Sequence, residues 1–303
     1  MLALKTSAQT VSRFAFSADG RYLAVSGSGK KVHLWDVTAK KLRAKVLPTF
    51  KDAVNWLGFL PDGKLFAFSM MGKYATHDPA TGTTDERTLS NRWWVGDLVA
   101  TADRTAFYGT GWQAQKWTFD GKLRVQWSEK VPGDLVSGRG GAVLTPDGAF
   151  VAAVSNGHDK TWLHTRDTAT GTVRDQRLVA ASLIRHLTLL PDGRTLVFVR
   201  EQVYQGSTPN ALMIGPVDGL CEPIDTPTKN SVFTALALHP SGQWLAVGQF
   251  DGTVRTFDVR TWREVSAYQW SANPVVGLAF APDGLRAAAG GADGQFVVWD
   301  VDL

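Results

Sequence analysis

The sequence predicts an all-β fold: a seven-bladed β-propeller of four-stranded antiparallel blades. Three observations carry the prediction. A turn signal recurs seven times, centred on Asp19, Asp62, Asp103, Asp147, Asp192, Ser241 and Asp283, with an average spacing of 44 residues. An apolar pair in two-residue step precedes each turn, the period of a strand with one buried face. No segment shows the 3.6-residue period of a helix.

Each element of the unit has its own reason. The turns read SADG, PDG, TADR, PDG, PDG, PSG and PDG. Proline presets φ for a type I turn, Asp bonds back to nearby amides, and Gly takes the left-handed position of a three-residue hairpin loop. Three residues upstream stand Phe16, Phe59, Ala100, Leu144, Leu189, Leu238 and Phe280, and five upstream Phe14, Leu57, Leu98, Ala142, Leu187, Leu236 and Leu278. A short apolar strand follows each turn, as in YLAVSG and WLAVGQ. A third strand then ends on Asp36, Asp78, Asp120, Asp167, Asp258 or Asp300, with only Asp218 in the fifth copy, and turns such as PATGTT lead into a fourth. Seven such units form one domain over residues 1–303.

The last copy stops after its third strand. Leu2–Thr6 precedes the first unit and belongs to no hairpin of its own, so it is expected to supply the missing fourth strand and close the ring without a long open edge.

Bulk properties narrow the function. Thirty glycines and twelve tryptophans suit short strands joined by tight turns. A formal charge of +4 over 303 residues gives little reason to expect a nucleic-acid partner. The pairs Lys30-Lys31 and Lys40-Lys41 read as a solvated face. The single cysteine, Cys221, excludes an internal disulfide and reads as a small buried thiol. With no long apolar run and no charged leader at the start, no membrane partner and a cytoplasmic location are expected.

The period near 44, the Pro-Asp-Gly turn and the terminal Trp35-Asp36 and Trp299-Asp300 together resemble the WD40 repeats, over the whole chain. The Gly-His pair that opens such repeats is missing from every copy, and their Asp before the third strand survives only at Asp251 and Asp293. These departures look like those of bacterial members. The resemblance implies a non-catalytic interaction scaffold that docks a protein or peptide, as a monomer and without a cofactor.

The loops entering each blade and those joining second to third strands share one end of the blades, the top. Extra residues fall only in the fourth and fifth copies, at SNGHDKTW (Ser155–Trp162) and REQVYQGSTPNAL (Arg200–Leu212). Just before the third copy, Arg92, Trp93 and Trp94 stand where other copies hold mostly small or polar residues, and Trp112 lies in a loop of that copy. Exposed Trp and Arg dominate protein interfaces. Arg92, Trp93, Trp112, His158 and Tyr204 are therefore the expected contact rim, while Trp94 has packing between blades as its alternative.

Six residues before the turns, Arg13, Trp56, Asp97 and His186 face the channel mouth together with Gly141, Ala235 and Gly277. Such mixed chemistry argues against a metal ring. The alternative function is a propeller hydrolase or isomerase at the channel, for which Asp97 and His186 are the acid–base pair available.

Overall fold

The computed structural model describes residues 2–6, 10–28, 30–46, 50–89, 94–111, 113–130, 141–156, 161–180, 183–201, 210–224, 232–270 and 273–302. They form seven four-stranded antiparallel sheets. The first blade comprises Val11–Phe16, Tyr22–Gly27, Val32–Asp36 and Lys41–Val46, and the second Val54–Phe59, Leu65–Ser69, Lys73–His77 and Thr84–Thr88. The third is Val95–Ala100, Ala106–Gly111, Gln113–Phe119 and Leu123–Lys130. The fourth is Ala142–Leu144, Phe150–Asn156, Thr161–Asp167 and Val173–Ala180. The fifth is Leu183–Leu189, Thr195–Glu201, Ala211–Pro216 and the two-residue Glu222–Pro223. Phe233–Leu238, Trp244–Gln249, Thr253–Asp258 and Glu264–Gln269 make the sixth. The seventh takes Val275–Phe280, Arg286–Gly291 and Gln295–Asp300, and its fourth strand is Leu2–Lys5.

That last pairing is antiparallel, with Leu2 opposite Val298, Ala3 opposite Val297, Leu4 opposite Phe296 and Lys5 opposite Gln295. The Thr6 amide adds a hydrogen bond to the Gly294 carbonyl at 3.0 Å. The two ends of the polypeptide thus complete one sheet, as the sequence predicts.

The blades fall into two compact units, residues 1–90 with 233–303, and residues 91–232. Within the first, the first strands of blades six, seven, one and two pack side by side, and within the second those of blades three, four and five. The core lies between sheets. Ala24, Val32 and Leu34 of blade one pack on Val54, Leu57, Phe59, Leu65 and Ala67 of blade two. Val11, Leu23 and Val25 pack on Ala288, Phe296 and Val298 of blade seven, joined by the partly buried Leu2 and Leu4.

The expected turn chemistry appears in six of the seven copies. A carboxylate oxygen of Asp19, Asp62, Asp103, Asp147, Asp192 or Asp283 accepts the amide two residues on at 2.9–3.1 Å. Glycine in these turns is left-handed, from Gly20 (φ 65°) to Gly63 (φ 81°), and Arg104 adopts φ 57° where the third copy has no glycine. In three copies the hydroxyl of Ser17, Thr101 or Thr145 donates to the turn Asp at 2.5–2.6 Å. That bond is the first cause holding those three carboxyls below the usual carboxylate range.

Blade six exchanges the chemistry. The Ser241 amide donates to His239 Nδ1 at 3.1 Å, so Nε2 carries the proton and donates to the Gly284 carbonyl of blade seven at 3.0 Å. Trp244 and Phe280 meet the imidazole edge-on, each 5.0 Å between ring centres. This histidine bolts two blades together.

The expected burial of the two apolar rows holds in part. Phe16, Leu57, Phe59, Leu98 and Ala142 are buried, whereas the corresponding residues of blades five, six and seven are half-buried. A second row, eight residues before the turn, is buried throughout its described members: Val11, Val54, Val95, Ile184, Phe233 and Val275. A simple two-residue step from the turn would reach the seventh residue instead. In five blades the register slips between the eighth and sixth positions, for example between Val11 and Arg13. This β-bulge inserts one residue and moves the next apolar side chain to the eighth place.

Two outcomes follow. Removing residues 1–7 strips Leu2 and Leu4 from their cluster and exposes the edge of Gln295–Asp300; calorimetry should show a melting point lower by roughly 5–10 °C. His239→Ala leaves the Gly284 carbonyl without its donor, and thermal melting followed by circular dichroism should fall by roughly 5 °C.

Candidate functional site

The top end of each blade carries the turn between second and third strands and the connection into the blade. Arg92, Trp93, Trp112, His158 and Tyr204 all lie outside the described residues. What surrounds them is described. Trp94 is half-buried, and its carbonyl lies where a Cβ on Gly111 would meet it at 2.1 Å. In blade four part of the extra sequence lengthens the hairpin: Ser155 pairs with Trp162 and Asn156 with Thr161. In blade five the first and second strands pair out to Leu183 opposite Glu201, and the second and third out to Arg200 opposite Ala211, where the insertion begins and ends. The long loops therefore spring from extended hairpins.

The four residues assigned to the channel mouth sit on first strands at the bulge, and two of them stitch neighbouring blades together. Arg13 Nε donates to the Asn55 carbonyl of blade two at 3.0 Å. Asp97 Oδ2 accepts the Ala142 amide of blade four at 3.0 Å. Blade six uses a third device, with the Thr234 hydroxyl donating to the Val275 carbonyl of blade seven. Trp56 folds back over its own strand, where Gly58 leaves room: a Cβ there would sit 2.1 Å from the indole. Its ring meets Phe66 edge-on at 5.8 Å. His186 is half-buried and left-handed, φ 53°. At Arg13 and Asp97 these contacts serve to space the first strands. Among the described residues, no three His, Cys, Asp or Glu side chains are grouped to hold a metal ion, and no helix is long and apolar enough to cross a membrane.

Sequence reasoning passed over two groups. Phe250 and Met71 are 60% and 43% exposed in the turns between second and third strands of blades six and two, at the top end. Each was legible as an apolar residue inside a tight turn. The other group is interior to blade four, where His164 and Arg166 stand on one strand and are both buried. Arg166 Nη1 donates to the Gly171 carbonyl at 2.9 Å. Burial, then the Arg166 charge, pushes the His164 imidazole down to about 4.

Comparisons with known proteins bear on the blades directly. A family model described as "WD domain, G-beta repeat" matches residues 3–36, 222–258 and 263–300. These three segments are WD40 repeats. The latter two hold Asp251 and Asp293, whose carboxylates accept the Thr253 and Gln295 amides at 2.9 and 3.0 Å. WD40 relatives agree. The WD repeat-containing protein 91 homolog of Dictyostelium discoideum is 21% identical over 142 residues, 47% of this chain and 18% of that protein. The WD repeat-containing protein VIP3 of Arabidopsis thaliana is 39% identical over 67 residues, 22% of this chain and 21% of that protein. The chain thus spans about a fifth of the length of these two curated WD40 relatives. Among solved structures, the Cps50 (Swd1) β-propeller domain of Myceliophthora thermophila superposes with a TM-score of 0.75 at 15% identity, over 99% of both chains. Hydrazine synthase of Kuenenia stuttgartiensis gives 0.80 at 17% identity, over 98% of this chain and 97% of that one. At such identities the likeness is one of fold, and the fold is the seven-bladed propeller.

The buried histidine makes blade four acid-sensitive. The folded state holds His164 well below its ordinary value of 6.5, so an unfolded chain takes up the proton first. Stability from this group is complete above pH 6.5 and drains away as the pH falls towards 4, by about 3 kcal/mol. Urea unfolding at pH 7, 5.5 and 4.5 should show the loss in the native protein and a flatter profile in His164→Asn.

Proposed function

We propose that this chain is a non-catalytic scaffold that docks a protein or peptide on the top end of blades three to five. Arg92, Trp93, Trp112, His158 and Tyr204 form the contact surface. WD40 propellers are in general protein-interaction scaffolds, and the coarse reading rests on that. The finer one is supported by a coincidence of position. The two lengthened hairpins of blades four and five point to the same end as the Arg-Trp-Trp sequence entering blade three. Aromatic and Arg side chains there offer large contact area for little lost conformational freedom.

Arg13 and Asp97 have structural work as inter-blade stitches, which favours the scaffold over chemistry at the channel. On this reading the protein acts as a cytoplasmic monomer without cofactor, nucleic acid or membrane as partner. The hydrazine synthase likeness adds a fold and no reaction.

The test is an affinity capture from lysate of the source organism, quantified by mass spectrometry, with native protein and a Trp93→Ala/Trp112→Ala/Tyr204→Ala variant of matched melting point. Partners held by this rim should drop at least tenfold in the variant, since two or three lost aromatic anchors are each worth on the order of 1–2 kcal/mol. Undiminished recovery of every partner would remove the rim from the account.

A further inference from the structure

The small net charge of the chain conceals an uneven distribution. Ten of its 32 Lys and Arg fall within residues 1–51, together with only two of its 28 acids, Asp19 and Asp36. Both acids are occupied. Asp19 closes its turn by accepting the Ser17 hydroxyl and the Arg21 amide. Asp36 is buried, pairs with Arg21 at 3.1 Å and accepts the Ala39 amide. Apart from Arg13 and Arg21, the cations of blade one collect along its outer margin.

The outermost strand, Lys41–Val46, reads KLRAKV: three cations and no anion. It ends the sheet, with a partner on one side only. Lys40 precedes it in the turn, while Lys30 and Lys31 stand at the other end of the strand beside it, because Val32 pairs with Val46. Lys30, Lys31, Lys40, Lys41 and Arg43 are all exposed, and none makes an ion pair with a described residue. Six strand residues at about 3.4 Å each make this a cationic margin roughly 20 Å long. A register slip between Leu34 and Trp35 leaves Arg43 as the extra residue of the bulge. The bulge turns the strand, and Lys41 stands opposite Asp36.

Charged residues on edge strands commonly serve to prevent sheet-to-sheet aggregation. That purpose needs one or two charges, and other outer strands mix the two signs or carry a single charge. Thr84–Thr88 holds Asp85, Glu86 and Arg87; Val173–Ala180 holds Arg174, Asp175 and Arg177; Glu264–Gln269 holds a single Glu. Lys41–Val46 exceeds the requirement, with three cations and no acid of its own.

We infer that the outer margin of blade one is a docking surface for an acidic, extended polypeptide segment. Its occupant is chosen by charge and shape. A line of exposed cations along one strand and the turns at its two ends matches a narrow chain carrying Asp or Glu over about six residues. A membrane surface would call for apolar anchors beside the cations, and among the described residues none of the large exposed apolar side chains, from Met71 to Leu285, belongs to blade one. Single-stranded nucleic acid would call for exposed aromatic platforms, whereas Tyr22 and Trp35 are half-buried and packed into sheet interfaces. This surface uses none of the residues from Arg92 to Tyr204 and stands whether or not that rim binds anything.

The test is fluorescence anisotropy with a fluorescein-labelled octapeptide of alternating Glu and Ala. Oligodeoxythymidine and phosphatidylserine vesicles serve as competing probes. The native protein should bind the peptide at about 50 mM salt and lose at least tenfold in affinity by about 300 mM, as screening shortens the reach of the charges. Lys41→Gln/Arg43→Gln and Lys30→Glu/Lys31→Glu should each weaken binding roughly tenfold. A Lys122→Glu/Arg263→Glu control, which lowers net charge elsewhere, should keep native affinity. Absence of binding at low salt, equal affinity in the blade-one variants, equal loss in the control, or tighter binding of the oligonucleotide or vesicles would each overturn the assignment.

Discussion

A sheet of four short strands cannot bury either of its faces alone, and everything else in this structure follows from that constraint. Each blade is stable only because a neighbour covers it. The clusters joining blades one and two, and blades seven and one, draw about equally on two sheets. The bulge in the first strand serves the same end. It releases one backbone residue from the ladder so that Arg13, Asp97 and Thr234 reach across to the next blade while the apolar row is kept in register. The chain termini obey it too, since Gln295–Asp300 would present an uncovered edge without Leu2–Lys5.

Much of this was legible in the sequence because it is written locally. A Pro-Asp-Gly turn needs only four residues to declare itself, and the same amide-to-carboxylate bond closes six of the seven turns, with Ser241 Oγ substituting in the seventh at 3.2 Å. The terminal pairing was legible by subtraction, as one strand too few at one end and one too many at the other. The bulge was not. A two-residue period counted back from the turn runs off the correct face at the seventh residue, and only the register reveals that Val11 or Val275 stands at the eighth. Likewise His239 reads as an ordinary residue before a turn until its neighbour is seen to be the Gly284 carbonyl, 45 residues on.

The candidate surfaces were less legible for a different reason. Binding residues sit where no repeat constrains them, so periodicity, the strongest signal in this chain, says nothing about them. Composition gave the aromatic rim its case, through Trp and Arg in positions that other copies fill with small residues. Composition also hid the basic margin, because a total of +4 averages a strongly cationic first blade with an acidic remainder. Lys30-Lys31 and Lys40-Lys41 look like two separate pairs along the chain. Strand pairing brings them to opposite ends of one short margin, with Arg43 between.

The two proposed surfaces draw on different parts of the repeating blade. Loops at the top end can lengthen without disturbing the ladder, as Ser155–Trp162 and Arg200–Leu212 do, so aromatic contact area can grow there. The outer strand is the least constrained element of each blade, ranging from two residues at Glu222–Pro223 to eight at Leu123–Lys130. Its side chains need satisfy little beyond solubility, which leaves charge free to vary. Inner strands have neither freedom, since a change at Val11 or Gly277 meets the neighbouring blade within van der Waals distance. On the proposed reading, recognition is thereby pushed outward and upward, and the interior is left to hold the blades in place.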